Sequence, residues 1–358
     1  MAAIGGRSPL GRLFASLRWV LTGWLTLSAF AGLAQAAPLL RVLAWPGYAD
    51  ADVVEQFEKR HGVRVEVTIV SSDEALRSQM ASAQPSFDVV AANTVEIARL
   101  VSARKLEPLN LQAIPNLANQ LPRFHPLSVI AGISDAERVY AVPYTWSEMG
   151  LIYDRTQWAA PPDSWAALWD PKWRGRVLEF DSANHGFSLA ALHRGLPPFH
   201  IPPENMRGLA LDLVELRRNL LAFYNLPEEA VRLFRGHKAA LLFANYGQQQ
   251  LKLLRDAGID VGYVIPREGA LAWLDCWAVP AGAREPLLAH QWINYMLEAS
   301  VSQTLTLRQG LANTLEPAPG LEAGATSPKI LWLEPLEDES LRSRLWRRIV
   351  SGERPERF

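Results

Sequence analysis

Short apolar segments and amphipathic segments alternate along residues 39–105 of the sequence. In residues 63–69, Val and Ile alternate with Arg, Glu and Thr, which is the period of a half-buried strand. A Pro-Gly turn follows the apolar run Leu39–Ala44, and Gly62 ends the amphipathic stretch that comes next. This β-α-β-α-β-α order predicts an α/β fold with a largely parallel sheet.

The same alternation returns in the second half of the chain, beginning with the apolar run Val177–Phe180. A chain of 358 residues is long enough for two domains with a sizeable core. Since no internal repeat or low-complexity linker separates the halves, we expect two α/β lobes that are joined by several short crossings. The single Cys excludes an intramolecular disulfide.

The N-terminus has the composition of an export signal. Residues 1–18 carry three arginines and no acidic residue, an apolar run follows, and Ala34-Gln35-Ala36 provides small residues for signal peptidase. This predicts a cleavable signal peptide over residues 1–36 and a periplasmic location. An uncleaved anchor is the alternative, although the run is short for a span of about 20 residues. Cleavage would change the net charge from -1 to about -4, which does not favour nucleic-acid binding.

Three segments directly follow predicted strands, namely Trp45–Tyr48, Asn93–Thr94 and Tyr144–Ser147. Ligands of open α/β sheets bind beyond the carboxyl ends of the strands. These segments are therefore candidates for a binding site.

The sequence lacks the common catalytic and nucleotide-binding motifs. It contains no G-x-G-x-x-G after a strand, no phosphate-binding loop, no H-E-x-x-H and no G-x-S-x-G. His185 and His193 have no third residue at metal-ligand spacing, and Cys276 belongs to an apolar segment. We therefore expect no catalytic residue, no metal and no cofactor, and an exported enzyme stays as the alternative.

Three blocks of sequence carry a family resemblance. Residues 43–48 read Leu-Ala-Trp-Pro-Gly-Tyr, residues 141–146 read Ala-Val-Pro-Tyr-Thr-Trp, and residues 272–280 read Ala-Trp-Leu-Asp-Cys-Trp-Ala-Val-Pro. The chain resembles the periplasmic solute-binding proteins of bacterial ABC importers over about residues 39–315. The first and third blocks are most similar to the spermidine/putrescine-binding branch of that family.

The resemblance implies two α/β lobes with mixed or parallel sheets, joined by hinge strands and closing on a ligand. It also implies delivery of that ligand to an inner-membrane ABC permease, and we expect a monomer. The predicted organisation comprises a signal peptide (1–36), the first part of lobe 1 (37–143), lobe 2 (144–272), the return to lobe 1 (273–312) and a C-terminal helical segment packed on the lobes (313–358).

A polyamine site needs carboxylates for the ammonium ends and aromatic faces for the methylene spine. Asp275 is the first candidate because it is an acidic residue within an otherwise apolar strand; a structural ion pair is the alternative. Trp165, Trp169 and Trp173 are instead assigned to the packing of a lobe through a helical stripe. The resemblance suggests nine ligand-binding positions, namely Trp45, Tyr48, Asn93, Asp181, Ser182, His185, Phe243, Trp273 and Asp275. Trp146 is a further candidate.

The sequence departs from the branch where a second ammonium would be paired. Ser182 and His185 stand where the branch has acidic residues, and Glu148 or Asp181 could compensate if they point into the cleft. The sequence therefore predicts a cation-selective pocket for a polyamine such as putrescine or spermidine. A monoamine, an amino acid derivative or a role as a ligand sensor are the alternatives.

Overall fold

The structure is a computed structural model that describes residues 1–2, 37–81, 86–135, 137–316 and 329–358. Leu39–Phe358 forms one compact unit. All but the first two residues of the predicted signal peptide lie outside the described residues. Within the described ranges, no helix combines the length and the apolar character that a membrane crossing requires.

Helices and strands alternate along this unit as the sequence pattern predicts. The helices are α1 (Ala51–His61), α2 (Asp73–Gln79), α3 (Thr94–Ser102), α4 (Ala183–His193), α5 (Pro203–Asn219), α6 (Pro227–His237), α7 (Gln248–Asp256), α8 (Pro286–Met296), α9 (Ala299–Gln309) and α10 (Glu339–Val350). The strands are β1 (Leu39–Ala44), β2 (Arg64–Ile69), β3 (Val89–Asn93), β4 (Ser134–Asp135), β5 (Arg138–Val139), β6 (Ala141–Met149), β7 (Leu151–Asp154), β8 (Val177–Phe180), β9 (Leu220–Tyr224), β10 (Leu241–Phe243), β11 (Val261–Val264), β12 (Ala270–Ala278), β13 (Ala312–Asn313) and β14 (Ile330–Trp332).

Lobe 1 is built on a seven-stranded sheet in the order β13-β6-β12-β3-β1-β2, with β14 also paired to β12. The strand β1 lies between β2 and β3 and is parallel to both, so the carboxyl ends of these three strands share one edge. The long strand β12 is antiparallel to β3 and β6. Because β12 returns from the second half of the chain, it brings Asp275 opposite Asn93 in the ladder.

Lobe 2 is built on a five-stranded sheet in the order β11-β7-β10-β8-β9. The chain passes from lobe 1 to lobe 2 at Gly150, between β6 and β7, and returns between β11 and β12. The two-lobed α/β fold that we expected is confirmed. The crossing at Gly150 comes later than the predicted boundary at residue 143 because β6 continues as one strand to Met149.

Two local expectations differ from the structure. The sequence pattern predicts a helix over Met206–Leu221, but Leu220 and Leu221 already belong to β9, because residues 220–224 pair in parallel with β8. Tyr144–Ser147 lies inside β6 rather than beyond a strand end, since residues 145–147 pair with β12 and Tyr144 lies at a bulge in that ladder. In both cases, sheet pairing with a distant segment decides the local conformation.

The tryptophans of residues 165–173 pack inside lobe 2, but not as one α-helical stripe. They belong to two short 3-10 helices, Trp165–Trp169 and Pro171–Trp173. Trp165 donates to the carbonyl oxygen of Gly269 at 2.7 Å, and Trp169 stacks on His193 with ring centroids 4.4 Å apart.

The C-terminal segment contacts both lobes. Its strand β14 pairs with β12 of lobe 1, whereas α10 packs on α4 and α5 of lobe 2. The guanidinium of Arg342 on α10 is fully buried and donates to Glu337 at 2.7 Å, to Ser188 at 2.9 Å and to the carbonyl oxygen of Asn184 at 3.1 Å. A buried, paired cation thus attaches α10 to the N-terminal half of α4.

Candidate functional site

A cleft lies between the two lobes, at the carboxyl ends of their parallel strands. Its atom-free space is about 600 Å³, including the part that is open to solvent. This position is where open α/β sheets place their ligands. The cleft is lined by Trp45, Tyr48, Ser72, Asp73, Glu74, Asn93, Met149, Phe180, Ser182, His185, Asn245, Tyr246, Gln249, Trp273, Asp275, Leu311 and Leu333.

Asp275 is a buried carboxylate in the wall of this cleft. It lies within β12, its residue is 5% exposed, and its Oδ2 accepts a hydrogen bond from the hydroxyl of Tyr48 at 2.6 Å. Burial raises the pKa of Asp275 to about 7; the hydrogen bond from Tyr48 opposes the rise and the nearby charge of Asp73 adds to it. Tyr48 is the one donor that the described residues supply to this carboxylate, so its charge is poorly compensated by them.

Asp73 provides a second carboxylate at the start of α2. Its Oδ1 accepts a hydrogen bond from the side-chain amide of Asn93 at 3.0 Å. The other end of that amide caps α3 by accepting from the backbone of Glu96 at 3.0 Å. Burial raises the pKa of Asp73 to about 6, although the charge of Arg77 opposes the rise. Asn93 is thus a bridge that fixes Asp73 beside the strand end.

Aromatic side chains surround these carboxylates and are held in place by hydrogen bonds. The indole of Trp45 donates to the carbonyl oxygen of Ala91 at 3.1 Å. The indole of Trp273, in lobe 1, donates to the carbonyl oxygen of Asn245, in lobe 2, at 3.0 Å. Rings that are fixed in this way offer apolar contact and cation–π attraction of about 0.5–2 kcal/mol each to a bound cation.

The cleft carries negative charge. Asp73, Glu74 and Asp275 line it, and no Lys or Arg is among its described lining residues. Burial, together with the charge of Arg342, lowers the pKa of His185 to about 4, so this imidazole is neutral at pH 7. Such a site attracts a small cation and disfavours an anion at the lobe 1 end. The described residues contain no cluster of His, Cys, Asp and Glu that could hold a metal ion.

Most of the residues predicted from the sequence line the cleft together, and three lie elsewhere. Trp146 is on the opposite face of the sheet, because its neighbours Thr145 and Ser147 are the residues that face Asp275 and Trp273 in the ladder. It packs against Trp332 with ring centroids 5.9 Å apart.

The other two are engaged in lobe 2. Asp181 accepts a hydrogen bond from the indole of Trp346 on α10 at 2.8 Å. Phe243, the last residue of β10, is fully buried against Trp165 and does not line the cleft. Glu148, the other possible replacement for a missing acid, accepts from Gln248 at 3.2 Å and is not among the lining residues.

Several lining residues were missed by the sequence reasoning. Ser72, Asp73 and Glu74 follow β2 just as Trp45 follows β1, so the strand-end rule could have identified them. The sequence pattern at residues 71–73 predicts the beginning of a helix, and Ser72 does cap α2. Asn245 and Tyr246 follow β10 in the same manner.

Known proteins resemble this chain along nearly its whole length. Residues 52–328 match the family model of the bacterial extracellular solute-binding proteins. The putrescine-binding periplasmic protein PotF of Escherichia coli is 26% identical, over 94% of this chain and 98% of its own. The spermidine/putrescine-binding periplasmic protein 1 of Haemophilus influenzae is 25% identical, over 84% of this chain and 81% of its own.

A solved structure shows the same fold. The substrate-binding protein PotD of a spermidine/putrescine ABC transporter from Streptococcus pneumoniae superposes with a TM-score of 0.69 and 20% identity, covering 89% of this chain and 100% of its own. The proteins of this family bind solutes and are not enzymes. With its matching sequence, its two lobes and its cleft at the strand ends, this chain belongs to the bacterial extracellular solute-binding proteins.

Proposed function

We propose that this protein is the periplasmic substrate-binding component of an ABC-type importer and that it captures a small organic amine in the cleft between its lobes. The observation that carries the proposal is the carboxylate of Asp275. It is buried, it has Tyr48 as its donor, and it lies between aromatic side chains in a cleft whose described lining contains no Lys or Arg. An ammonium group would supply the missing counter-charge.

The relatives support the same ligand chemistry. Those described above are named for binding putrescine or spermidine and for being periplasmic. Putrescine and spermidine are therefore the first ligands to test. The proposal includes three further points: the protein delivers its ligand to an inner-membrane permease, it acts as a monomer, and it is exported through a signal peptide at residues 1–36 that is then cleaved.

Isothermal titration calorimetry of the purified protein with putrescine, spermidine and 1-aminobutane tests the proposal. We expect saturable binding of at least one amine, and at least a tenfold loss of affinity in Asp275→Asn. That variant keeps an oxygen acceptor for Tyr48 and removes the charge. Absence of binding by every amine, in protein whose circular dichroism shows a folded state, would refute the proposal.

A further inference from the structure

The lobe 2 wall of the cleft differs in charge from the lobe 1 wall. Asp73, Glu74 and Asp275 all belong to lobe 1. The described residues that lobe 2 contributes are uncharged at pH 7, because His185 is neutral and Asp181 is turned toward Trp346. They are Phe180, Ser182, His185, Asn245, Tyr246 and Gln249.

The N-terminus of α4 forms part of this wall. Ser182 caps the helix, its hydroxyl accepting from the backbone of His185 at 3.4 Å, and both residues line the cleft. Within the described structure, the backbone N–H groups of Ala183 and Asn184 have no acceptor. No acidic residue occupies the first turn of α4, whereas α2 begins with Asp73 and Glu74. The partial positive charge of this helix end is therefore not neutralised by its own side chains.

The side chain of His185 is an independent sign of a ligand at this end. It is 8% exposed, it lines the cleft, and neither of its ring nitrogens has a hydrogen-bond partner among the described residues. Its Nδ1 is closed off from solvent, so Nε2 is the nitrogen that a group in the cleft can reach. A buried imidazole without a hydrogen-bond partner is costly, and an acceptor bound at Nε2 would reduce that cost. The neutral ring can donate from one nitrogen to an acceptor in the cleft.

A buried cation lies behind the same helix turn. Arg342 donates to the carbonyl oxygen of Asn184 at 3.1 Å and to Ser188 at 2.9 Å, and its guanidinium is fully buried. Its charge is shared with Glu337, yet it acts on His185 strongly enough to lower the pKa of that imidazole. The lobe 2 end of the cleft is therefore suited to an anion or a neutral acceptor, and poorly suited to an ammonium group.

We propose that the cleft is bipolar and takes an ω-amino acid: the ammonium group binds at Asp275 in lobe 1, and the carboxylate binds at Ser182, His185 and the N-terminus of α4 in lobe 2. This inference rests on the proposed function, since it presupposes the amine site at Asp275. It differs from a diamine site, in which the second ammonium would face a positive helix end and a neutral imidazole.

Calorimetry with ligands of matched length tests the inference on the wild-type protein. The probes are 4-aminobutanoate, 1,4-diaminobutane, 1-aminobutane and butanoate, with the three- and five-carbon analogues of each. We expect the amino acid of the best length to bind at least tenfold more tightly than the diamine and the monoamine of that length. A diamine or monoamine that binds equally or more tightly overturns the inference and leaves the proposed function standing. If no amine binds to folded protein, the proposed function fails as well.

A variant tests the role of the helix end directly. Ser182→Asp keeps a capping oxygen for α4 and adds a carboxylate, so it should weaken 4-aminobutanoate binding at least tenfold and strengthen 1,4-diaminobutane binding. Ser128→Asp makes the same charge change at an exposed residue outside the cleft and should alter neither affinity by more than twofold. An unchanged preference in folded Ser182→Asp would contradict the assignment.

Discussion

The hydroxyl of Tyr48 donates a hydrogen bond of 2.6 Å to Oδ2 of Asp275, joining residues that are 227 positions apart in the chain. Tyr48 belongs to the turn after β1, and Asp275 lies on the returning strand β12. The bond favours the ionised carboxylate, whereas burial favours the protonated one. Tyr48 therefore holds the pKa of Asp275 low enough for the group to ionise near pH 7.

Replacement of Tyr48 by Phe should weaken amine binding. Loss of the donor raises the pKa of Asp275 above about 7, so a smaller fraction is ionised at neutral pH. Since a hydrogen bond to a charged group contributes about 1.5–3 kcal/mol, we expect at least a tenfold loss of affinity at pH 7 and a smaller loss at pH 9. Calorimetry at both pH values measures the difference.

Tyr144→Phe is the matched control. The ring of Tyr144 packs against that of Tyr48 with centroids 5.5 Å apart, but Tyr144 does not line the cleft. Its substitution should leave the affinity within about twofold. Equal losses in both variants would mean that packing, not the hydrogen bond, explains the effect.

Amine affinity should depend on pH through Asp275. The carboxylate must lose its proton before it can pair with an ammonium group, and its pKa in the ligand-free protein is about 7. Below pH 7 the affinity should therefore fall by up to about tenfold per pH unit, while the amine itself stays charged. Asp73, with a pKa of about 6, should steepen the fall below pH 6.

Titrations from pH 5 to pH 8 in the wild type and in Asp275→Asn measure this dependence. The variant should bind weakly with a much flatter profile. A constant wild-type affinity over this range would show that Asp275 is not the anchor for the amine.

The ligand-free protein should become more stable in Asp275→Asn at pH 8. The folded pKa of about 7 lies above the ordinary value of 3.8, so between these values the folded state binds more protons than the unfolded state. The wild type therefore loses unfolding free energy as the pH rises from about 4 through 7. Removing the charge should recover about 2–4 kcal/mol at pH 8 and almost nothing at pH 4.

Urea unfolding at pH 4 and pH 8 measures both values in both proteins. Because both proteins share all other acidic groups, the difference between their unfolding free energies reports the contribution of Asp275 alone. A variant that is less stable than the wild type at pH 8 would contradict the expected cost of this buried charge.

Glu339 should help to hold the lobes together. It begins α10, which packs on lobe 2, and it accepts from Arg77 at 2.8 Å and from Arg99 at 2.5 Å, both of lobe 1. The cluster is partly exposed, so it should contribute about 0.2–1 kcal/mol per pair. Glu339→Gln should weaken ligand binding two- to fivefold and increase the radius of gyration of the ligand-free protein in X-ray scattering.

Glu334→Gln is the control for this change. Glu334 is an exposed residue of the same segment and lies 3.3 Å from His200, away from the arginines of lobe 1. It should change neither quantity. If Glu339→Gln leaves both unchanged as well, the contact between α10 and lobe 1 has no role in closing the cleft.

The residues that the sequence correctly placed near one another are those that belong to local patterns. Trp45 and Tyr48 follow the apolar run of a predicted strand, and Asp275 is an acidic residue within another apolar run. Each could therefore be identified without knowledge of the fold. Asp73 has a composition that equally suits a helix start. Only the strand order β12-β3-β1-β2, with Asn93 between the two acids, brings it to the same wall as Asp275.

By itself, the sequence determined the alternation of strands and helices and also the family. The hydrophobic period and the motifs at strand ends depend only on residues that are close together in the chain. Which acidic residues face the cleft was decided by tertiary structure. Asp181 follows its strand as a ligand-binding residue would, but Trp346, which is 165 residues away, takes its hydrogen bond. The direction of a side chain at a strand end depends on the segments that pack against it, and α10 comes from the far end of the chain.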